Sequence, residues 1–220
     1  AQGFAWGAAL SLFLAGWFPY LLLRALRVGR FGALVGAMAF ELSGFYVAWV
    51  HLPTLPATLA WLPLSWLFIE RYYGSRRMRE AVWAGAAMAL ALLAGHPQIG
   101  LYVLLASAAY LVARGLAREV APSLGGRIRA IAGAGAVMYV LAFALAAAQL
   151  LPMVELARHS HRTLSTGIAG FRDYLHFAMP WQHLLGLTLP DYFGRPNEGT
   201  YWSKPTFPEY AAYTGVLTLL

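Results

Sequence analysis

Cysteine is absent from the 220 residues. That removes disulfides, thiol catalysis and cysteine-based zinc sites together. Charge is also scarce. Asp, Glu, Lys and Arg make up 11% of the chain, against about 25% in ordinary soluble domains. Acidic residues are the rarer sign, 9 against 16 basic ones, for a net charge of +7. No GxSxG, HExxH, Walker or dinucleotide-binding motif occurs, and no stretch has the make-up of a soluble catalytic domain.

What is present is apolar: 60% hydrophobic residues and a mean hydropathy of +0.58. The predicted fold class is all-α, a polytopic transmembrane helix bundle of six to seven spans with a helical extracytoplasmic loop. The positive charge does not point to nucleic acid, because the arginines sit in short clusters between apolar runs. Alternating topology with the positive ends inside accounts for them.

Six apolar runs are read at 4–26, 31–50, 57–73, 81–94, 99–113 and 130–151, with a linker at 118–129 and a further span starting near Tyr210. These divide the chain into transmembrane helices (1–151), an extracytoplasmic helical cap (152–209) and the start of another span (210–220). Eleven basic residues, Arg24 to Arg129, fall at run ends on one side, and the opposite turns at 51–56 and 94–98 contain none. This places the arginine ends in the cytoplasm of a bacterium, its inner membrane being the location, and those turns outside. Richness in Ala, Gly and Arg fits a high-GC bacterial source. The chain starts Ala1-Gln2-Gly3 and stops within an apolar run at Leu220, which reads as an internal fragment of a longer protein.

Small residues at Gly32/Gly36 and Gly85/Ala89 have the spacing of close helix contacts. Trp49, Trp61, Trp181 and Trp202 fall where interfacial anchors belong. Within the cap, Glu155, Arg158, His159 and Arg162 share one face of an expected amphipathic helix over 152–164. Pro180 opens an expected short helix, and 191–201 is rich in turn residues.

The stretch Gly95-His96-Pro97-Gln98 interrupts two apolar runs of about 14–15 residues, about 21–22 Å of helix each. A turn at membrane depth is tolerated only where protein covers it or it lines a wet cavity. His96 and Gln98 therefore either bind a phosphate or sugar hydroxyl, or cap the two helices. Glu41, read near the bilayer midplane, is a candidate proton relay, metal ligand or general base, or a carboxyl bonded to a neighbouring helix. Asp191 is a candidate cation or sugar ligand, or a turn-initiating residue. Arg158 and Arg162 suit a phosphate or a nearby carboxylate. His159 and His161 do not share a helix face, so no metal site is assigned there.

Several stretches in order resemble the YfhO-like bacterial membrane proteins, of the GT-C class of membrane glycosyltransferases. They are Leu12-Phe13-Leu14-Ala15-Gly16-Trp17; Ala39-Phe40-Glu41-Leu42-Ser43-Gly44-Phe45; Leu59-Ala60-Trp61-Leu62-Pro63-Leu64; Gly95-His96-Pro97-Gln98; Leu151-Pro152 with Glu155; and Leu189-Pro190-Asp191-Tyr192-Phe193-Gly194, with Glu209-Tyr210 beyond. The resemblance implies transfer of a sugar from a polyprenyl-phosphate donor to a cell-envelope polymer acceptor on the outer face. On that reading His96, Gln98, Arg162, His183 and Glu155 are the expected substrate-binding residues. Glu41 and Asp191 remain as candidates for a catalytic group, although GT-C enzymes usually carry the key carboxylate in an outer loop that precedes this segment. No cofactor is assigned, with a divalent cation left open. The alternatives are a transporter or flippase with a midplane site at Glu41, and a non-catalytic membrane assembly subunit.

Overall fold

The computed structural model describes residues 2–159, 171, 175, 178–203, 207–211 and 213. Among them the regular structure is helical and no strand occurs. The helices are α1 (Gln2–Ala25), α2 (Arg30–Glu41), α3 (Gly44–Trp49), α4 (Thr54–Leu59), α5 (Trp61–Ser75), α6 (Met78–Leu93), α7 (Pro97–Gly115), α8 (Leu124–Arg158) and α9 (Phe207–Tyr210), with 3-10 turns at Trp181–Leu187 and Pro196–Glu198.

Four described segments are long and apolar enough to cross a membrane: Gly3–Ala25, Arg30–Trp49, Pro97–Gly115 and Leu124–Arg158. Helices α5 and α6 have 15 and 16 residues, about 22–24 Å at 1.5 Å per residue, and fall short of that length. Much of the outward surface is apolar: Phe31 is 81% exposed, Trp6 76% and Leu151 70%. Contiguous apolar surface of this kind suits a lipid bilayer rather than water.

The core sits among α5, α6, α7 and α8, around Ile69, Met88, Leu111 and Met138. In α8 the buried residues Ala134, Met138, Ala142 and Ala146 recur every four positions, so they form one stripe along the helix. Opposite lies the small-residue face of α6, where a Cβ on Gly85 would stand 2.7 Å from the Met138 carbonyl oxygen. The Gly85/Ala89 spacing read from the sequence is thus a true close approach of two backbones. Helices α5 and α7 are joined inside by Ser65 Oγ and Ser107 Oγ at 2.9 Å. At one end of that pair, Glu70 accepts from Tyr110 Oη (2.6 Å) and from both Nε and Nη2 of Arg114, the latter at 3.0 Å.

Three run boundaries differ from the sequence reading. The run 31–50 is two helices, α2 and α3, broken at 42–43. The Gly44 N–H there donates to the Tyr213 carbonyl (2.6 Å), and a Cβ on Gly44 would stand 2.8 Å from the Ala211 carbonyl oxygen. Protein backbone therefore covers the break, as a break at membrane depth requires. The run 57–73 is divided at Ala60 into α4 and α5, within a proline-rich stretch (Pro53, Pro56, Pro63). The run 130–151 is longer at both ends: α8 starts after the Ser123 cap, whose Oγ accepts from Gly126 N–H (3.1 Å), and it continues through Pro152 to Arg158. Proline removes a single helical hydrogen bond, and flanking turns rich in Leu, Ala and Met carry the helix past it.

The connections place the arginine clusters at one end of the bundle. Arg76 donates to the Val120 carbonyl, and Tyr72 Oη donates to that of Ala130 at 3.3 Å. The described parts of 178–213 pack at the other end, where Trp49 Nε1 donates to the Pro208 carbonyl (3.1 Å).

Candidate functional site

A cavity of about 310 Å³ lies at the end opposite the arginines, lined by Phe45, Trp49, Leu55, His96, Gln98, Ile99 and Glu209. Its floor is the turn between α6 and α7. Gly95 occupies that turn with φ of 91°, a left-handed conformation that favours glycine. His96 follows as the N-cap of α7, with Pro97 in the first turn. His96 Nδ1 accepts from the Ile99 N–H at 3.3 Å. Of the two roles open for His96, helix capping is therefore present in the structure.

That bond also orients the chemistry of the ring. With Nδ1 accepting, a neutral imidazole carries its proton on Nε2 and can only donate there. Burial holds the His96 pKa below its ordinary value of 6.5, which favours this neutral form. Gln98 donates from Nε2 to Tyr102 Oη at 2.9 Å, leaving its amide oxygen and a second N–H available. Glu209 enters from α9, and its carboxylate has no hydrogen-bond or ion-pair partner among the described residues. The cavity thus presents a fixed donor, an amide and a carboxylate beside the rings of Trp49 and Phe45. Trp49 is itself set by its bond to Pro208 and by stacking on His51, centroids 6.0 Å apart.

A second cavity of about 250 Å³ lies on the other side of α3 and α9. His183, Asp191, Phe193, Tyr201 and Tyr210 are among the residues that line it. The His183 ring is 4% exposed and lies 4.2 Å, centroid to centroid, from both Phe193 and Tyr210. Its Nε2 is 2.7 Å from Ser203 Oγ. Packing accounts for this histidine. Asp191 accepts from Arg195 Nε (2.9 Å) and Nη2 (2.7 Å), and Arg195 also reaches Glu198. The guanidinium holds the Asp191 carboxyl below the usual carboxylate range.

Glu41 is elsewhere. It is the last residue of α2 and borders a groove of about 630 Å³ between α1 and α2, with Phe13, Trp17 and Phe31. Its carboxyl lies against the bare face of Gly16, where a Cβ would collide with Oε2. Glu155 stands on the exposed end of α8 and lines neither of the two cavities. Arg162 lies outside the described residues, as do His161, Arg172, Asp173 and His176.

The structure therefore unites His96 with Gln98, places His183 and Asp191 on a neighbouring cavity, and keeps Glu41 and Glu155 apart from both. It adds Glu209 and Trp49 to the His96 cavity, 113 and 47 positions away along the chain. Glu209 carried one sequence signal, its place among few acidic residues outside the apolar runs. Among the described residues no group of three His, Asp or Glu converges to hold a metal. Comparison with family models, with curated proteins and with solved structures returns no match for this chain.

Proposed function

We propose that this chain is the outer-face site region of a GT-C-like membrane glycosyltransferase, taking a sugar from a polyprenyl-phosphate donor and passing it to a cell-envelope acceptor. The observation that carries the reading is the convergence of Glu209, His96 and Gln98 beside two aromatic rings in one cavity. A sugar offers hydroxyl donors and acceptors on an otherwise apolar frame, and such a wall matches both. In the transfer, the acceptor oxygen attacks the anomeric carbon as the bond from that carbon to the phosphate oxygen breaks. The electron pair leaves with the polyprenyl phosphate, and the acceptor proton goes to a base. Glu209 is the cavity's proton acceptor, and His96 Nε2–H is a donor for a sugar or phosphate oxygen.

In this reading α5 and α6 also cross the bilayer, giving six spans, and 152–209 caps the outer face. Supporting it, both short helices are held within the bundle by α1, α7 and α8, and their arginine-bearing ends can snorkel to the surface. The test replaces Glu209→Gln, His96→Asn and Gln98→Ala in the full-length protein at normal expression, with envelope glycosylation as the readout. Each substitution is expected to lower transfer. Unchanged glycosylation in all three would remove the cavity from the mechanism.

A second reading rests on Glu41. A carboxyl beside Gly16 in an aromatic groove between two candidate spans is an arrangement for proton-coupled transport. Proton-coupled uptake by the purified protein, lost in Glu41→Gln, would favour it over the first.

A further inference from the structure

The arginine end of the bundle contains its own cavity, of about 660 Å³, bounded by Arg27, Arg71, Arg114, Glu70 and Glu119 with the apolar Leu26 and Val120. Three separate segments supply it: the turn after α1, the end of α5, and the end of α7 with the chain that follows. Most arginines near it are already engaged. Arg24 donates to the Val28 carbonyl, Arg76 to that of Val120 and Arg127 to that of Leu116. These bonds satisfy the free carbonyls that chain turns and helix ends leave behind. Arg114 is committed to Glu70.

Arg27 and Arg71 differ. Among the described residues neither side chain has an ion pair or hydrogen-bond partner, and both border the cavity. Arg71 is held over the Phe68 ring, 5.5 Å from its centroid, which orients the guanidinium without neutralising it. Arg27 sits at φ of 65°, a left-handed backbone conformation that a glycine would adopt at lower cost. Arg27 thus keeps its charge at a strained position without an ionic partner among the described residues. With Glu70 neutralised by Arg114, the remaining wall holds Arg27, Arg71 and Glu119, a net charge of about one positive unit (2 − 1).

We infer that this cavity binds the phosphodiester of an anionic membrane lipid, with Arg27 and Arg71 as its guanidinium clamp. The charge matches a singly ionised phosphodiester. The fork geometry of Arg suits two phosphate oxygens at once. The place suits it too, since basic pockets between membrane helices at their arginine-rich ends take anionic headgroups. The apolar members of the wall, Leu26 and Val120, lie where the glycerol and first acyl carbons of such a lipid would rest.

The experiment measures lipid retention by native mass spectrometry of the full-length protein in neutral detergent, offered phosphatidylglycerol, phosphatidylcholine or inorganic phosphate. Phosphatidylglycerol is expected to be retained over phosphatidylcholine. The double variant Arg27→Gln/Arg71→Gln is expected to lose retention about tenfold or more, the scale of losing one or two charge-assisted hydrogen bonds. Arg27→Lys/Arg71→Lys, which keeps the charge but not the fork, is expected to fall between. Helical content by circular dichroism confirms that each variant is folded; a misfolded glutamine pair leaves the lysine pair to decide. Equal retention of phosphatidylglycerol by the wild type and the folded variants overturns the site, and so does binding of inorganic phosphate without binding of the lipid.

Discussion

Gly85 of α6 and Met138 of α8 are in backbone contact: a Cβ added to the glycine would stand 2.7 Å from the methionine carbonyl oxygen and 3.1 Å from its Cα. Backbone cannot yield as a side-chain tip can, so Gly85→Ala must push the two helices apart along the whole alanine stripe of α8. Overpacking of this kind costs about 1–3 kcal/mol. Gly133→Ala, on α8 and with nothing within 4 Å of the new Cβ, is expected to stabilise by about 0.5–1 kcal/mol through helix propensity. Thermal unfolding in detergent checks both signs, and a Gly85→Ala protein as stable as the wild type would deny the close approach.

Glu70 and Arg114 form the second test. The Glu70 side chain is 12% exposed and the Arg114 side chain 38%, so the pair is neither a loose surface bridge nor a fully dry one. Arg114→Met leaves a largely buried carboxylate with only Tyr110 to donate to it. Glu70→Gln keeps an acceptor for both partners. The first change is expected to destabilise by about 2–4 kcal/mol and the second by clearly less. A double-mutant cycle measures the coupling directly. Equal losses from the two single changes would show that the ion pair contributes no more than a neutral hydrogen bond.

Acid titration addresses His96. Its pKa in the folded protein lies below 6.5 because burial penalises the charged ring, so the fold favours the neutral form. The contribution to stability is complete above about pH 6.5 and is lost as pH falls towards the lower folded value. Protonation of Nδ1 also removes the acceptor that caps Ile99 N–H. His96→Asn retains a capping side chain without a titrating group, and is expected to be less sensitive than the wild type as pH falls below about 6.5. Identical acid limbs for the two proteins would contradict this.

Gly16 and Glu41 supply a separation of function from stability. A Cβ on Gly16 meets the Glu41 carboxyl, the far end of a flexible side chain. Gly16→Ala is therefore expected to shift that carboxyl at little cost to folding, within about 1 kcal/mol. If Glu41 carries a proton, uptake should fall in Gly16→Ala as it does in Glu41→Gln while the melting temperature holds. Normal uptake in both variants would leave Glu41 without a transport role.

Composition and periodicity alone carried the helical class, the membrane setting and most helix positions, because lipid admits few backbone arrangements and each apolar run must satisfy its own hydrogen bonds. The arginine clusters likewise marked one end of the bundle. Local chemistry was legible where partners are near in sequence: the turn at Gly95-His96-Pro97 and the turns at Gly194 and Gly199. Contacts over long separations were not. The break at 42–43 depends on backbone from residues 211 and 213 filling the gap above Gly44, and no pattern around Ser43 announces that. Glu209 joins His96 only because α9 and α3 meet across the Trp49–Pro208 hydrogen bond. The same packing set Tyr210 against the His183 ring, whereas Asp191 meets Arg195 within its own turn, four residues on. Residue types and their order thus set what kind of chain this is and which residues are polar enough to do chemistry. Tertiary structure alone decided which of them share a cavity, because proximity between distant segments is set by helix packing, and helix packing depends on the whole bundle.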